Sequence, residues 1–414
     1  MTQEKRVFLD NFFSLASLQL LNYVLPLLTF PYLVRVLGAE RYGLLAFSLS
    51  MMQYCTLLTD YGFGLTAVRD VAMHRDQKVK IDAIFSSVTS AKIVLLGCSL
   101  LMLIIAVGCQ QRLRAEWLFY LLAFGIVIDN ITFPIWFFQG MEDMKYIARR
   151  NIIIKVVFTI LIFILVRSDQ DYLKVPLINL IGYLLAGGAS LYVIFNKYQI
   201  RFNWPDWKDI LEALKHGFPV FLARASISLV ATSNLFFLGL FRSHEEVGYY
   251  AAAERIVFVM LWVANPAFQV FYPFISKIAH QSKERALKLI GKFMLLIFTI
   301  YLAIYLVSNI FLKQTLSLIL GAKFAHSHDI FHLLSMQLLF APLIYILSNV
   351  VFMAFRMEKY FSRVFIVAGV INIILLYLIL GVWGLGGIAV AKLVVLMQAC
   401  LLVVFLIIMK KKLL

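Results

Sequence analysis

Residues 93–107 read IVLLGCSLLMLIIAV, a stretch without a charged side chain. Similar blocks recur along the 414-residue chain, in which hydrophobic residues make up 62% and charged residues 14%. Soluble domains carry about a quarter charged residues, so this composition excludes an ordinary globular protein. A bilayer core about 30 Å thick needs roughly 20 apolar residues per helix, and the blocks match that length. We therefore predict an all-α integral membrane protein with about twelve transmembrane helices.

Short loops separate the predicted spans. The joins near Leu240 and Gly381 are the weakest boundaries, so one span more or one fewer also fits the pattern. The spans cover residues 11–34, 44–67, 84–108, 117–138, 147–166, 174–195, 217–240, 248–274, 291–311, 330–354, 361–381 and 385–408.

The Lys and Arg residues between the spans predict the orientation of the chain. With both termini in the cytoplasm, the cytoplasmic segments carry 24 of these residues and the opposite segments carry 9. All the loops are short, so the side with more basic residues is the cytoplasmic side. The net charge of +16 then reflects orientation and attraction to anionic lipid headgroups, and we predict no nucleic-acid partner.

A short repeat divides the chain into two halves. ERYGLLA at residues 40–46 follows the first span, and EEVGYYA at residues 245–251 follows the seventh. Six helices separate the two copies, so the halves would have the same orientation in the membrane. We predict two six-helix lobes, residues 1–196 and 217–414, which a cytoplasmic linker at residues 197–216 joins.

Eight charged residues lie inside the predicted spans and more than four residues from either end, where each would cost about 2.5–3.5 kcal/mol if it faced lipid at the bilayer centre. They are Lys92, Lys155, Arg224, Arg255, Lys392, Asp60, Asp129 and Glu254. Their sum of +2 predicts a cationic interior that suits an anionic, phosphate-bearing ligand.

These charged residues differ in their predicted depth. Asp60, Lys155 and Glu254 lie within about two turns of a span end, where snorkelling to the interface is the alternative to a functional role. Asp129 lies deeper, and a deep carboxylate is the natural site for a coupling proton or sodium ion. We predict that Asp60 and Glu254 can share this coupling role, while the basic residues bind the ligand.

Prolines interrupt several spans and permit kinks, because proline has no backbone N–H to donate. Pro26 and Pro31 lie in the first span, and Pro219 lies at the equivalent place in the seventh. We predict hinges at these three residues, where a two-lobe transporter would bend. Prolines are common in membrane helices, so kinks without a function are the alternative.

Several motifs in the first two thirds of the chain resemble those of one family of membrane proteins. They are NFFSL at 11–15, LPLLTFPYLVRVLG at 25–38, ERYG at 40–43, DYGFG at 60–64, WFFQGME at 136–142, GFPVFL at 217–222 and VGYYAAAER at 247–255. Together they resemble the polysaccharide flippases, the Wzx-type O-antigen translocases of the multidrug/oligosaccharidyl-lipid/polysaccharide exporter superfamily. The resemblance covers most of residues 10–275.

The resemblance implies a V-shaped pair of six-helix bundles around a central cationic cavity. It also implies a flippase of the bacterial inner membrane, which moves undecaprenyl-pyrophosphate-linked O-antigen repeat units from the cytoplasmic to the periplasmic leaflet by alternating access. The diphosphate would sit against Arg224, Lys155, Lys92 and Lys392, with Arg255 as a further candidate. Besides membrane lipids, the polysaccharide polymerase and the chain-length regulator are candidate partners.

Other functions stay open at this point. A cation-coupled drug exporter of the same fold would bind cationic amphiphiles, which the excess of Lys and Arg within the spans argues against. A non-transporting scaffold of the polysaccharide assembly complex would tolerate neutralisation of the deep charges. We expect no enzymatic activity, cofactor or metal site, because the sequence lacks the GxxxxGK[ST] motif for ATP and its external loops are short.

Overall fold

The structure is a computed structural model that describes residues 3–321 and 324–413, except for the side chains of residues 3–24, 26, 313, 315 and 358. Helices make up most of the described residues, which contain no strand. The α-helices are α1 (Gln3–Asp60), α2 (Phe63–Met73), α3 (Lys78–Cys109), α4 (Gln111–Ala115), α5 (Trp117–Ala123), α6 (Gly125–Thr132), α7 (Ile135–Gly140), α8 (Met144–Leu165), α9 (Lys174–Asn196), α10 (Trp207–Ala231), α11 (Ser233–Phe241), α12 (His244–Trp262), α13 (Asn265–Gln281), α14 (Lys283–Ile310), α15 (Leu312–Leu320), α16 (Ser327–Ser335), α17 (Gln337–Tyr345), α18 (Phe352–Ala354), α19 (Glu358–Tyr377) and α20 (Gly387–Leu413). A 3-10 helix (Asp169–Leu173) precedes α9, and π-helical segments (Ile346–Val351 and Leu378–Val382) follow α17 and α19.

Seven helical segments among the described residues are long and apolar enough to cross a membrane. They are Lys78–Cys109, Trp117–Gly140, Asp169–Asn196, Lys283–Ile310, Gln337–Ala354, Lys359–Val382 and Gly387–Leu413. Two bent pairs, α10 with α11 at 58° and α12 with α13 at 43°, raise the number to nine if each pair is one span. The prediction of an all-helical, multi-pass membrane protein is therefore confirmed, while the total of twelve spans stays a prediction.

The first two predicted spans form one long helix, α1, which is broken at Gly38. Residues 39–43, predicted as a loop, are helical, because polar side chains alone do not stop a helix. Gly38 does break it, with φ of 71° and ψ of 177°, a conformation that glycine adopts at little cost. Helix α1 then ends at Asp60, inside the second predicted span, because Tyr61 and Gly62 have positive φ angles of 44° and 85°.

The fourth predicted span, residues 117–138, is divided into α5, α6 and α7. Pro134 lies between α6 and α7, and it has no N–H to continue the helical hydrogen bonds. Helix α6 therefore ends at Thr132 with carbonyl groups that need other donors.

The chain folds into two compact units, which we call the N-terminal and C-terminal units. The N-terminal unit comprises Met1–Leu37 and Ser48–Ala225, and the C-terminal unit comprises Gly38–Phe47 and Ser226–Leu414. A segment of α1 thus belongs to the C-terminal unit. The boundaries of the two predicted six-helix lobes stay a prediction.

An aromatic core packs α2, α3 and α7 together in the N-terminal unit. Phe63, Phe85 and Trp136, one from each helix, are at most 2% exposed. Ile200 and Ile210 join the same core. The connection from α9 to α10, which is the first half of the predicted linker, and the start of α10 therefore pack on the N-terminal unit.

Polar contacts also bind the connection between α9 and α10 to the rest of the N-terminal unit. Lys197 Nζ and Tyr198 Oη each donate a hydrogen bond of 2.7 Å to Asp143 Oδ2. Lys78 Nζ donates to the Tyr198 carbonyl over 2.9 Å. The hydrogen bond from Lys197 is the main reason why the pKa of the Asp143 carboxyl is lowered. The connection is thus held by charge-assisted hydrogen bonds as well as by apolar burial.

The two copies of the sequence repeat meet in the C-terminal unit, where α1 crosses α12. A Cβ atom added to Gly43 would lie 1.7 Å from the carbonyl oxygen of His244. A Cβ atom added to Gly248 would lie 1.9 Å from the carbonyl oxygen of Ala39. The two glycines therefore permit an approach of backbone to backbone that a side chain would prevent.

We expect Gly43→Ala and Gly248→Ala each to lower the apparent unfolding temperature of the protein in detergent. The opposing carbonyl oxygens cannot rotate away, so overpacking should cost about 1–3 kcal/mol. That cost outweighs the gain in helix propensity, which is at most about 1 kcal/mol. Gly97→Ala on α3 is the matched control, because no neighbouring atom lies within 4 Å of its added Cβ. Unfolding of both crossing variants at or above the wild-type temperature would contradict this crossing.

Candidate functional site

Asp60 and Arg224 form an ion pair in the N-terminal unit. Asp60 is the last residue of α1, and Arg224 lies in α10. Arg224 Nη1 donates a hydrogen bond to Asp60 Oδ2. The Asp60 side chain is 18% exposed and the Arg224 side chain is 47% exposed, so the pair is accessible from the guanidinium side.

The turn after α1 brings the two helices close enough for this pair. The Tyr61 ring stacks on the Phe221 ring, with centroids 4.7 Å apart. A Cβ atom added to Gly62 would lie 2.7 Å from Val220 Cβ. Val220 and Phe221 lie about one helical turn before Arg224, so the same contacts orient the guanidinium.

Lys92 on α3 lies beside this pair. Its side chain is only 2% exposed, and its Nζ donates to the Asn130 carbonyl over 2.8 Å. Asn130 lies in the last turn of α6, where the break at Pro134 leaves carbonyl groups without helical partners and a cation is favourable. Asp60 and Arg224 are the charged groups that interact electrostatically with Lys92.

We call Asp60, Lys92 and Arg224 the Arg224 cluster. Their formal charges sum to +1, and this excess lies within segments that the sequence places in the membrane. A guanidinium binds phosphate oxygens through two parallel hydrogen bonds, and the half-exposed Arg224 is the member that a ligand can reach. The cluster therefore suits an anionic ligand.

Asp129 on α6 forms a second ion pair, with Arg150 on α8. Arg150 Nη2 donates to Asp129 Oδ1, and the guanidinium carbon lies 4.0 Å from the centroid of the Phe133 ring. The Asp129 and Arg150 side chains are 15% and 11% exposed, so this pair is less accessible than the first. A coupling cation at Asp129 would have to compete with Arg150.

Arg150 is a functional candidate that the sequence pattern did not single out. It lies near the start of the fifth predicted span, where the charge pattern groups it with the cytoplasmic basic residues. The signal that could have identified it is Asp129. A carboxylate deep in a membrane needs a cation at similar depth, and only the tertiary structure, in which Arg150 of α8 reaches Asp129 of α6, reveals which one.

Glu254 has different surroundings in the C-terminal unit. It is partly buried on α12. The groups that interact with it electrostatically are the phenols of Tyr42 and Tyr250 and the guanidinium of its neighbour Arg255. Within the described part of the chain, no Lys or Arg forms a salt bridge with Glu254. Arg255 itself is exposed.

The remaining predicted site residues are distributed over both units. Lys155 is partly buried on α8 in the N-terminal unit, and Lys392 is exposed on α20 in the C-terminal unit. Pro31 and Pro219 lie inside helices that are not broken at the proline, whereas the side chain of Pro26 lies outside the described residues. The breaks in α1 and between α10 and α11 fall elsewhere, so the three hinges stay predictions.

Comparison with known sequences places this arrangement in a family. The family described as "Polysaccharide biosynthesis protein" matches residues 8–279, which include the Arg224 cluster and Glu254. The chain is 30% identical over 375 residues to a protein named "Putative O-antigen transporter" from Escherichia coli (strain K12), covering 89% of this chain and 88% of the relative. A protein of the same name from Shigella dysenteriae is 28% identical over 383 residues, covering 88% and 91%.

Solved structures with the same fold are known. The lipid II flippase MurJ in an inward closed conformation matches with a TM-score of 0.73 at 15% identity, over 95% of this chain and 87% of that chain. An inward-facing multidrug resistance MATE family transporter of the MOP superfamily matches with a TM-score of 0.71 at 15% identity, over 94% of each chain. At this level of identity the likeness concerns the fold alone.

We expect Gly62→Ala to lower the apparent unfolding temperature of the protein. The added Cβ would clash with Val220, and the positive φ angle would cost the alanine a further ~1–2 kcal/mol. Gly64→Ala is the matched control. Its Cβ would lie 3.5 Å from the Asp60 carboxylate oxygens and 3.6 Å from Arg224 Nη1, which is ordinary contact. Thermal unfolding in detergent, followed by fluorescence, compares the two variants. Equal unfolding temperatures would show that the turn at Gly62 does not hold α1 against α10.

Proposed function

The chain belongs to the polysaccharide biosynthesis protein family, and we propose that it is a flippase for O-antigen repeat units linked to undecaprenyl pyrophosphate. It moves them from the cytoplasmic to the periplasmic leaflet of the bacterial inner membrane, with both of its own termini in the cytoplasm. The movement uses alternating access of two six-helix lobes, residues 1–196 and 217–414. Polysaccharide polymerase and chain-length regulator are the proposed protein partners.

The Arg224 cluster is the observation that carries this proposal. Its charge of +1 has no described anion to balance it, and its accessible group is a guanidinium. A lipid-linked saccharide carries its negative charge on the diphosphate, which sits between the hydrocarbon tail and the sugars. A guanidinium in a membrane segment can bind that diphosphate while the tail stays in lipid.

Further cations are proposed to contact the same ligand. Lys155, Lys392 and Arg255 are at least partly accessible on their helices, so their charged groups can reach a solvated ligand. Lys92 is buried, so we propose that it does not contact the diphosphate. Its positive charge instead adds to the electrostatic attraction that the cluster exerts on the ligand. The two relatives named as O-antigen transporters match nearly nine tenths of the chain, which supports this class of substrate.

A drug exporter of the same fold is the second candidate, because a multidrug transporter shares the fold. Such a protein would present an acidic group to a cationic amphiphile. In the ion pair of Asp60 with Arg224 the basic partner is the more exposed one. The greater exposure of the basic partner favours an anionic ligand over a cationic drug.

Glu254 is the carboxylate that we favour for ion coupling. Guanidinium partners already neutralise Asp60 and Asp129, whereas two phenols and the adjacent Arg255 surround Glu254. A carboxylate with these neighbours can bind a proton or a sodium ion without first breaking a salt bridge. The roles of Asp60 and Asp129 as additional coupling sites stay predictions.

We expect Arg224→Ala to reduce surface O-antigen at least tenfold in cells that depend on this protein. The loss of a charge-assisted hydrogen bond to the diphosphate corresponds to about 1.5–3 kcal/mol. Surface polysaccharide is measured by gel electrophoresis, and protein level by immunoblot of the inner membrane. Arg224→Lys keeps the positive charge but loses the planar pair of N–H donors, so it should retain part of the activity.

Lys208→Ala is the control for this experiment, because Lys208 is an exposed basic residue on the same helix α10. It should export polysaccharide at the wild-type level. Normal surface polysaccharide in the Arg224→Ala cells would contradict a role of Arg224 in ligand binding. Accumulation of lipid-linked repeat units in those cells would locate the defect at translocation.

We expect Glu254→Gln to remove the response of translocation to an ion gradient. The assay follows a fluorescent lipid-linked saccharide in proteoliposomes with an imposed proton or sodium gradient. One of the two gradients should accelerate translocation by the wild type. The variant should translocate the saccharide at the same rate with either gradient as without one. Glu245→Gln on the same helix is the control, because Glu245 is exposed and bonded to Tyr249. A full gradient response in Glu254→Gln would exclude Glu254 as the coupling site.

A further inference from the structure

The two ion pairs of the N-terminal unit are chemically alike, but a ligand can reach only one of them. The Arg150 side chain is 11% exposed and its guanidinium packs against the Phe133 ring. The Arg224 side chain is 47% exposed. The Asp129–Arg150 pair is therefore closed, whereas an anion from outside can approach the Asp60–Arg224 pair.

Carboxylate and phosphate compete for the same donors of a guanidinium. In the structure, one nitrogen of Arg224, Nη1, donates to Asp60 Oδ2. A phosphoryl group that binds Arg224 through two parallel hydrogen bonds needs the donors on one edge of the guanidinium. On the edge formed by Nη1 and Nη2, Asp60 and the ligand would therefore compete for Nη1, and their negative charges also repel each other.

Lys92 provides a second partner for Asp60 once the ligand displaces it. An ammonium group can donate three hydrogen bonds. Lys92 Nζ makes one within the described residues, to the Asn130 carbonyl, and it also interacts electrostatically with Asp60. A displaced Asp60 would therefore still interact with a cation, which lowers the cost of a carboxylate in a membrane segment.

We infer that Asp60 is a displaceable counter-ion of the diphosphate site. It pairs with Arg224 when the site is empty, gives way to a phosphoryl oxygen when the ligand binds, and competes with the ligand again at release. The inference rests on the proposed function, and it explains how a cationic site in a membrane can release an anionic ligand. A transporter needs this balance, because a site that binds too tightly cannot release its ligand.

The test measures the affinity of the full-length protein in nanodiscs for inorganic pyrophosphate, by isothermal titration calorimetry. We expect Asp60→Asn to bind pyrophosphate about 1.4- to fivefold more tightly than the wild type, since a competing exposed ion pair is worth about 0.2–1 kcal/mol. The same variant should translocate lipid-linked saccharide more slowly, because release is impaired. Arg224→Ala should lose the binding.

Asp129→Asn is the matched control, since it removes a carboxylate from the closed pair. It should not tighten pyrophosphate binding. Asp60→Ser is measured beside Asp60→Asn, because a smaller side chain removes the charge with less demand on packing. Gel filtration and thermal unfolding establish that each variant is folded before its affinity is compared.

The possible outcomes separate this inference from the proposed function. Unchanged or weaker pyrophosphate binding in folded Asp60→Asn and Asp60→Ser, together with Arg224-dependent binding by the wild type, would overturn the exchange and leave the flippase function intact. Wild-type protein that binds no pyrophosphate, with normal export by Arg224→Ala, would overturn the proposed binding site itself. Tighter binding in both Asp60 variants but not in Asp129→Asn supports the exchange.

Discussion

A charged side chain inside a membrane has to be paired, hydrated or bound to a ligand, because an isolated charge there costs several kcal/mol. The three acidic residues of the predicted spans meet this constraint differently. Asp129 is closed off with Arg150, while Asp60 shares a pair with the half-exposed Arg224. Glu254 lies among phenols, next to Arg255. Residues of the same type thus suit different roles, since their surroundings decide what else can bind.

Broken helices bring these charges together. The turn at Gly62 ends α1 directly after Asp60, so the carboxylate lies at a helix end instead of in mid-helix. The break at Pro134 frees carbonyl groups at the end of α6, and Lys92 donates to one of them. Non-helical backbone at membrane depth is stable only where other groups of the protein satisfy it. In this protein the group that satisfies the backbone also contributes charge to the candidate site.

The repeat has a structural counterpart in the crossing of Gly43 with Gly248. Helices in a membrane gain little from hydrophobic burial against each other, so close backbone packing supplies much of their attraction. This explains why small residues stand at equivalent places in the two copies. It also explains why the segment Gly38–Phe47 belongs to the C-terminal unit although it precedes most of the N-terminal unit in the chain.

Apolar block length predicted the all-helical, multi-pass class, because a helix must span a fixed thickness of hydrocarbon whatever its neighbours are. Short motifs likewise predicted the family that the comparison with known sequences identified. Asp60, Lys92 and Arg224 were predictable as costly residues, but 32 residues separate the first two and 164 residues separate Asp60 from Arg224 in the chain. Only the tertiary structure decided that they form one cluster, that Arg150 neutralises Asp129 and that no described Lys or Arg forms a salt bridge with Glu254. Burial cost is a property of the single residue and its local sequence, whereas pairing depends on which helices pack together.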